Sequence, residues 1–191
     1  EEIVAGSEGD YKLYAIFEEN KSMLVVGADA QFKTLAEALT AANEGDTIKL
    51  LPGEYDEDVT IDKANLTIIG SNASLNPNVD TRGEEALLKG VISVSTTATN
   101  LTINGLAFTG KAKIKNNSDG NYQGFNFLNN LVYDTEVDSS NWGETGRYLI
   151  SAFIEFKMSS GGTTNNFYFA NNRFENVSTT NILVNRVKNL T

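Results

Sequence analysis

The chain repeats itself. Ala64-Asn65-Leu66-Thr67-Ile68-Ile69-Gly70 returns as Thr99-Asn100-Leu101-Thr102-Ile103-Asn104-Gly105, and Gly124-Phe125-Asn126-Phe127-Leu128-Asn129-Asn130 returns as Asn166-Phe167-Tyr168-Phe169-Ala170-Asn171-Asn172. Asn189-Leu190-Thr191 opens the first pattern again. With Leu66, Leu101, Phe125, Phe167 and Leu190 taken as equivalent, the spacings are 35, 24, 42 and 23 residues. The short spacings fit one coil of a three-stranded solenoid with tight turns. The excess in the other two falls in polar segments, 71–85 and 134–147. Strands that stack coil on coil, with loops swelling at fixed corners, describe a parallel β-helix.

Local patterning agrees. The β-rich runs are only three to six residues long: Ile48–Leu51, Val59–Ile61, Leu66–Ile69, Val91–Val94, Leu101–Ile103, Phe125–Phe127 and Phe167–Phe169. Several alternate apolar and polar residues, the period of a half-buried strand. Asn holds 23 of the 191 positions, often beside these runs. It tolerates the left-handed conformation and bonds locally to backbone, so it ends strands.

One segment breaks the β pattern. Thr34-Leu-Ala-Glu37 is a capping box, and Leu35, Ala38, Leu39 and Ala42 then share one helical face. The spacing predicts a helix of about ten residues over 34–43, ended by Asn43-Glu44-Gly45 with Gly45 left-handed. Tyr11–Phe17 and Met23–Gly27 read as strands before it. A solenoid end exposes core side chains and needs a cap, which this helix supplies. The expected organisation is a lead-in over 1–30 and a β-helix domain over 31–191 that is truncated at its C-terminal end.

Phe32 to Ile61, followed by Asn65-Leu-Thr-Ile-Ile-Gly70, resembles the start of the pectin lyase-like right-handed parallel β-helix superfamily. The matching features are a capped helix, Gly45-Asp-Thr leading into a strand, the turn Pro52-Gly-Glu-Tyr55, an acidic step, and a strand ending in Gly. Tyr55 is expected to pack its ring at the corner. Val59, Ile61, Leu66 and Ile68 are expected to point inward. The resemblance implies an all-β fold, a right-handed parallel β-helix of about five coils with a short N-terminal capping α-helix. It leaves activity open, because the superfamily holds lyases, esterases, hydrolases, adhesins, surface-layer modules and phage fibres.

Composition narrows the chemistry. The chain has no His and no Cys. That excludes Ser-His-Asp and Cys-His catalysis and the ordinary zinc, copper, haem and iron–sulfur sites. A net charge of −10 argues against nucleic acid as a partner. No apolar run approaches the roughly 20 residues that span a bilayer, so membrane insertion is not expected. The chain opens with Glu-Glu and no initiator Met, which leads to the expectation of a processed product or a fragment.

The sugar-active relatives imply chemistry that can be sought residue by residue. Arginine occurs only at Arg82, Arg147, Arg173 and Arg186, and neither the Gly-Phe-x-Ala-Arg-Asp segment nor a His-containing hydrolase set occurs. A lyase-like constellation would draw on Glu155 and Lys157, which share one face of a strand at 150–157 opposite Ile154 and Phe156. Arg173 and Glu175 would stack beside them from about one coil later. The competing reading is a solvated charged face. Asp134, Glu136 and Asp138 alternate in a way that allows carboxylates to converge on Ca²⁺, although the segment lacks the EF-hand Gly and Glu. Trp142, the only Trp, offers a flat face for a sugar or protein, with Arg147 close by in sequence. The competing reading is a surface loop. Asp56-Glu57-Asp58 reads first as an ordinary charged turn, and the segment 71–85 as a loop over one sheet.

Seven Asn-x-Ser/Thr sequons occur, at Asn20, Asn65, Asn72, Asn100, Asn116, Asn176 and Asn189. At coil turns, a stacked asparagine ladder accounts for Asn65 and Asn100 without glycosylation. The expected function is a non-catalytic extracellular or cell-surface module for adhesion, assembly or polysaccharide binding. The alternatives are a fragment of a Ca-assisted polysaccharide lyase, or a structural unit of a surface layer or phage fibre. No cofactor is expected beyond a possible Ca²⁺. Expected partners are a polysaccharide or a surface protein. Because Asn189-Leu-Thr191 begins a strand, downstream coils or a neighbouring chain are expected to cover the last coil.

Overall fold

A computed structural model describes residues 21–136, 152–158, 161–178 and 180–190. The described strands form three parallel sheets. Sheet A holds β1 (Met23–Val26), β2 (Thr47–Leu50), β5 (Thr67–Ile69), β8 (Leu101–Asn104), β11 (Asn121–Leu128), β14 (Thr163–Ala170) and β17 (Val187–Leu190). Sheet B holds β3 (Gly53–Tyr55), β6 (Ala86–Leu88), β9 (Ala107–Gly110), β12 (Leu131–Thr135) and β15 (Arg173–Glu175). Sheet C holds β4 (Val59–Ile61), β7 (Val91–Val94), β10 (Lys113–Asn116), β13 (Ala152–Phe156) and β16 (Thr180–Val184). The chain visits A, B and C in turn through five complete coils. Parallel crossovers of this kind are right-handed, and the architecture is a right-handed parallel β-helix.

The repeat seen in sequence is the register of sheet A. Leu101 pairs with Phe125, Phe125 with Phe167, and Phe167 with Leu190. Leu24, Ile48, Ile68, Ile103 and Phe127 form an inward column one strand apart, and each is at most 5% exposed. Burial of such a side chain contributes about 1.5–3 kcal/mol. The core changes along the axis, from Ile and Leu near the cap to Phe in later coils. Phe156 meets Phe167 edge-on at 4.9 Å, and Phe108 meets Phe153 at 5.3 Å. Edge-to-face pairs gain about 0.5–1.5 kcal/mol beyond the area they bury.

The corners explain the asparagines. Gly45, Asn65 and Asn100 precede β2, β5 and β8 of sheet A, Gly124 and Asn166 lie within β11 and β14, and all have φ between 54° and 83°. Only Gly and Asn take that conformation readily. Asn100 Nδ2 donates to Asn65 Oδ1 at 3.0 Å, which is the expected ladder. A second ladder closes the turn from sheet A to sheet B. Asn130 is fully buried; its Oδ1 accepts from Leu106 N at 2.9 Å and its Nδ2 donates to Ile103 O at 3.0 Å. One coil later Asn172 repeats both bonds, to Asn130 N at 2.9 Å and Phe127 O at 2.6 Å. Each amide therefore satisfies backbone of the preceding coil, which a buried turn cannot leave unpaired.

The cap differs from expectation in length. The helix, α1, spans Leu35–Ala41, with the Thr34–Glu37 capping box formed. It stops early because Ala42 is extended, at ψ 148°. Buried Asp46 then holds the exit, accepting from Asn43 N at 2.8 Å and Ser22 N at 2.7 Å. Residues of the first coil grip both ends of α1. Glu57 accepts from Leu35 N at 2.7 Å and Ala36 N at 3.0 Å, and Lys63 Nζ donates to Leu39 O. An anion at the N-terminus and a cation at the C-terminus both suit the helix dipole. Tyr55 packs at the corner as expected, and its hydroxyl donates to Leu51 O at 2.8 Å.

The two insertions occupy different corners, not one fixed corner. Residues 71–85 lie between β5 and β6, at the A–B corner, while the second insertion joins β12 to β13, at the B–C corner. Residues 71–85 also do not lie over a sheet. They run along the A–B corner of later coils: Arg82 donates to Asn129 O at 2.6 Å, and Asn129 Nδ2 donates to Ala73 O at 2.9 Å. Gly105 fits beneath this strap because it has no side chain. A Cβ there would lie 2.2 Å from Ala73, on a backbone with φ +70°.

Two outcomes are expected. Asn130→Ala leaves the Leu106 amide and the Ile103 carbonyl unpaired and should lower unfolding stability by about 2–4 kcal/mol, measured by urea denaturation. Asn78→Ala, at an exposed loop position, should change it by less than about 0.5 kcal/mol. Burial, with Glu57 nearby, raises the Tyr55 hydroxyl above the usual 10.0. The folded state therefore holds this proton more tightly. Its contribution is complete below pH 10.0 and is lost as pH rises through the raised value. Thermal melts from pH 8 to pH 11 should fall more steeply in the wild type than in Tyr55→Phe.

Candidate functional site

Alternation puts the charged side chains of each strand outside, and the corners decide which sheet carries them. Glu155 lies on β13 of sheet C between buried Ile154 and Phe156. It accepts from Lys113 Nζ of β10 at 2.8 Å and stands in register with Lys115. Lys157 follows β13; its side chain is exposed, and its backbone N–H donates to Asn116 Oδ1 at 3.0 Å. Arg173 and Glu175 lie on β15 of sheet B and form an ion pair with each other. The expected stacking of these two pairs is therefore not formed. The partners of β13 are β10 and β16, and that of β15 is β12. Glu155 and Arg173 are 18 residues apart, short of the 23 that separate Phe167 from its partner Leu190. That spacing carries the chain onto another face.

Sheet B's outer face is a striped surface. One row runs Glu54, Leu87, Ala107, Leu131 and Arg173, with Tyr133 and Glu175 beside it. Lys89 bonds Glu54 at 2.6 Å. The hydrogen bond it donates to Glu54, reinforced by the charges of Glu54, Asp56 and Tyr133, holds the Lys89 ammonium above its usual 10.5. Lys89 thus serves as a fixed cation and donor at neutral pH, not as a base. The two insertions join the chain at the two edges of this face. Arg173 reaches the first of them, donating to Pro77 O at 3.2 Å.

The proposed cation ligands divide. Asp134 is left-handed at φ 48°, as is Asn176 at φ 49°, and Asn176 Nδ2 donates to Asp134 Oδ1 at 3.1 Å. Asp134 is thus a member of a third corner ladder, and a cation there competes with that amide. Glu136 donates its backbone N–H to Gly110 O at 2.6 Å. Asp138, Trp142 and Arg147 lie outside the described residues. Among the described residues no group of three or more Asp or Glu is placed to hold a metal ion. The signal missed in sequence was the 42-residue offset. It relates Asp134 to Asn176 as it relates Phe125 to Phe167. The acidic step at 56–58 is structural as well: Glu57 caps α1, and Asp58 accepts from Val91 N at 2.7 Å.

Sequon asparagines are similarly engaged. Asn65, Asn100 and Asn176 belong to ladders. Asn72 is 2% exposed and bonds Glu85, Gly83 and the Glu84 carbonyl.

Three parallel sheets, their register and the capped first coil decide the architecture. The fold is a parallel β-helix. No family model matches the chain, and no curated protein matches it. Among solved structures, the pectin methylesterase from Aspergillus niger in penultimately deglycosylated form is similar over 91% of this chain and 73% of that one. The identity is 15% and the TM-score 0.42.

The Lys89 environment gives a direct test. Glu54→Gln removes the charged acceptor that stabilises the ammonium. The Lys89 titration, followed by NMR of the side chain, should move down in that variant.

Proposed function

We propose that this chain is a non-catalytic extracellular or cell-surface β-helix module that binds polysaccharide or a surface protein. The observation that carries this reading is the pairing of the charged groups on its outer faces. Glu155 is held by Lys113, Glu175 by Arg173 and Glu54 by Lys89. Glycoside hydrolysis needs two carboxyl groups facing one bond, and elimination needs a base that can lose its proton. Each of these carboxylates is already engaged by a cation of this chain. A paired, regular surface suits recognition, where hydrogen-bonding groups need fixed positions and not a changing protonation state.

The test is chemical. Purified protein with polygalacturonate or methylated pectin, with and without Ca²⁺, should release no unsaturated product, no new reducing ends and no methanol above buffer. Steady release that falls at least tenfold in Lys157→Ala or Arg173→Ala would overturn the non-catalytic reading.

A further inference from the structure

Sheet A differs electrically from the rest of the molecule. Its first outward column runs Met23, Thr47, Thr67, Thr102, Asn126 and Tyr168, one residue per coil in unbroken register. The second outward column runs Val25, Lys49, Ile69, Asn104, Leu128 and Ala170. Neither column contains an Asp or Glu, although the chain has 25 of them. Lys49 is their single charge. The faces of sheets B and C, by contrast, carry the ion pairs described above.

The chemistry of the first column is uniform and repeats along the axis. Neighbouring strands are about 4.8 Å apart, so the hydroxyls of Thr47, Thr67 and Thr102 form an evenly spaced line. Each hydroxyl can donate one hydrogen bond and accept two. Asn126 Nδ2 donates to Thr102 Oγ1 at 3.1 Å, which fixes the amide in the same line. No side-chain partner is present for Thr47 or Thr67 among the described residues. At one end Tyr168 is 43% exposed, a large ring on an otherwise flat surface. In the second column Ile69 and Leu128 add apolar surface on either side of Asn104, whose Oδ1 accepts from Asn129 Nδ2 at 3.0 Å.

We infer that this face binds an uncharged polysaccharide laid along the solenoid axis. This rests on the polysaccharide-binding reading proposed above and names the class of ligand and the face. A sugar polymer presents repeating hydroxyls, which match a repeating line of donors and acceptors. It also presents apolar ring faces, which match Tyr168 and the apolar surface of Ile69 and Leu128. Charge selects among polymers. A body of net charge −10 repels a polyanion, and among the described residues this face has only Lys49 and, on β17, Lys188 to attract one. A polycation would be drawn to the acids elsewhere. A neutral chain is favoured on this face because none of the protein's carboxylates must be desolvated beneath it.

The experiment is retention of the whole chain on cellulose, starch and mannan, and on polygalacturonate. It compares wild type with Tyr168→Ala, Thr102→Glu and, as a control on sheet C, Thr60→Glu, each checked for native circular dichroism. At least one uncharged polymer should retain the wild type, with little change in 0.5 M salt or EDTA. Tyr168→Ala and Thr102→Glu should each weaken retention about tenfold or more, corresponding to about 1.4 kcal/mol, and Thr60→Glu should not. Retention on polygalacturonate alone, or retention equally strong in all variants, overturns this assignment and leaves polysaccharide binding standing. Retention on none of the polymers overturns polysaccharide binding itself. Light scattering that shows dimers abolished by Thr102→Glu would make the occupant a second copy of this chain and overturn the assignment.

Discussion

A coil of parallel strands must turn three times and return one strand spacing along the axis. The left-handed corner residue is the constraint that makes this possible here. If one corner gains or loses a residue within its turn, every inward side chain of the next strand faces solvent. Asn65, Asn100, Asn129 and Asn171 hold that conformation at corners of the coils. The residue after Asn129 adds a second device. The Asn130 amide replaces backbone partners that a tight turn removes from Leu106 and Ile103. Glycine supplies the geometry alone, which suffices at Gly45 and Gly124. The ladder thus links local conformation to global register, and the core of stacked Ile, Leu and Phe follows from it.

The cap obeys the same economy of shared groups. Glu57 and Lys63 belong to the first coil, yet each satisfies one end of α1. Asp46 ties the helix exit to the residue before β1. Carboxylates that stand together in sequence at 56–58 are thereby sent to different tasks. An acidic run on a solenoid corner is pulled apart because its side chains alternate between the cap, the next coil and solvent. Proximity along the chain is therefore a poor guide to a cation site in this architecture.

Sheet A was legible in the sequence and sheet B was not, for a physical reason. Strands of sheet A follow an Asn or Gly corner and carry the full inward pair, as in Leu66/Ile68 and Phe125/Phe127, so the repeat shows. Strands of sheet B are mostly three residues long and begin directly after a two-residue turn. Ala107 and Phe108 are both buried, without clear alternation. The same limit governed the candidate site. Alternation placed Glu155 and Glu175 on the outside correctly, but it cannot say which of three outsides. That information lies in the coil length, and the 18 residues from Glu155 to Arg173 fall short of one coil. Asp134 was the converse case: the 42-residue offset was visible, and it marked a ladder position under a residue that also looks like a cation ligand.

A β-helix separates the requirements on its two surfaces. Inward positions are fixed by packing, so Leu, Ile and Phe recur there. Outward positions are free to vary coil by coil, and regularity among them calls for its own explanation. On sheets B and C the outward residues vary in charge and resolve into pairs such as Lys89–Glu54 and Lys113–Glu155. On sheet A they stay uncharged through Thr47, Thr67, Thr102 and Asn126, and the charges beside them, Lys49 and Lys188, are cations. Packing does not require this, since a Thr hydroxyl facing water adds little to the core beneath it. Threonine's β-branched preference for strands accounts for part of it, but not for the exclusion of carboxylates from a chain so rich in them. A uniform hydroxyl line is what the proposed polysaccharide face requires.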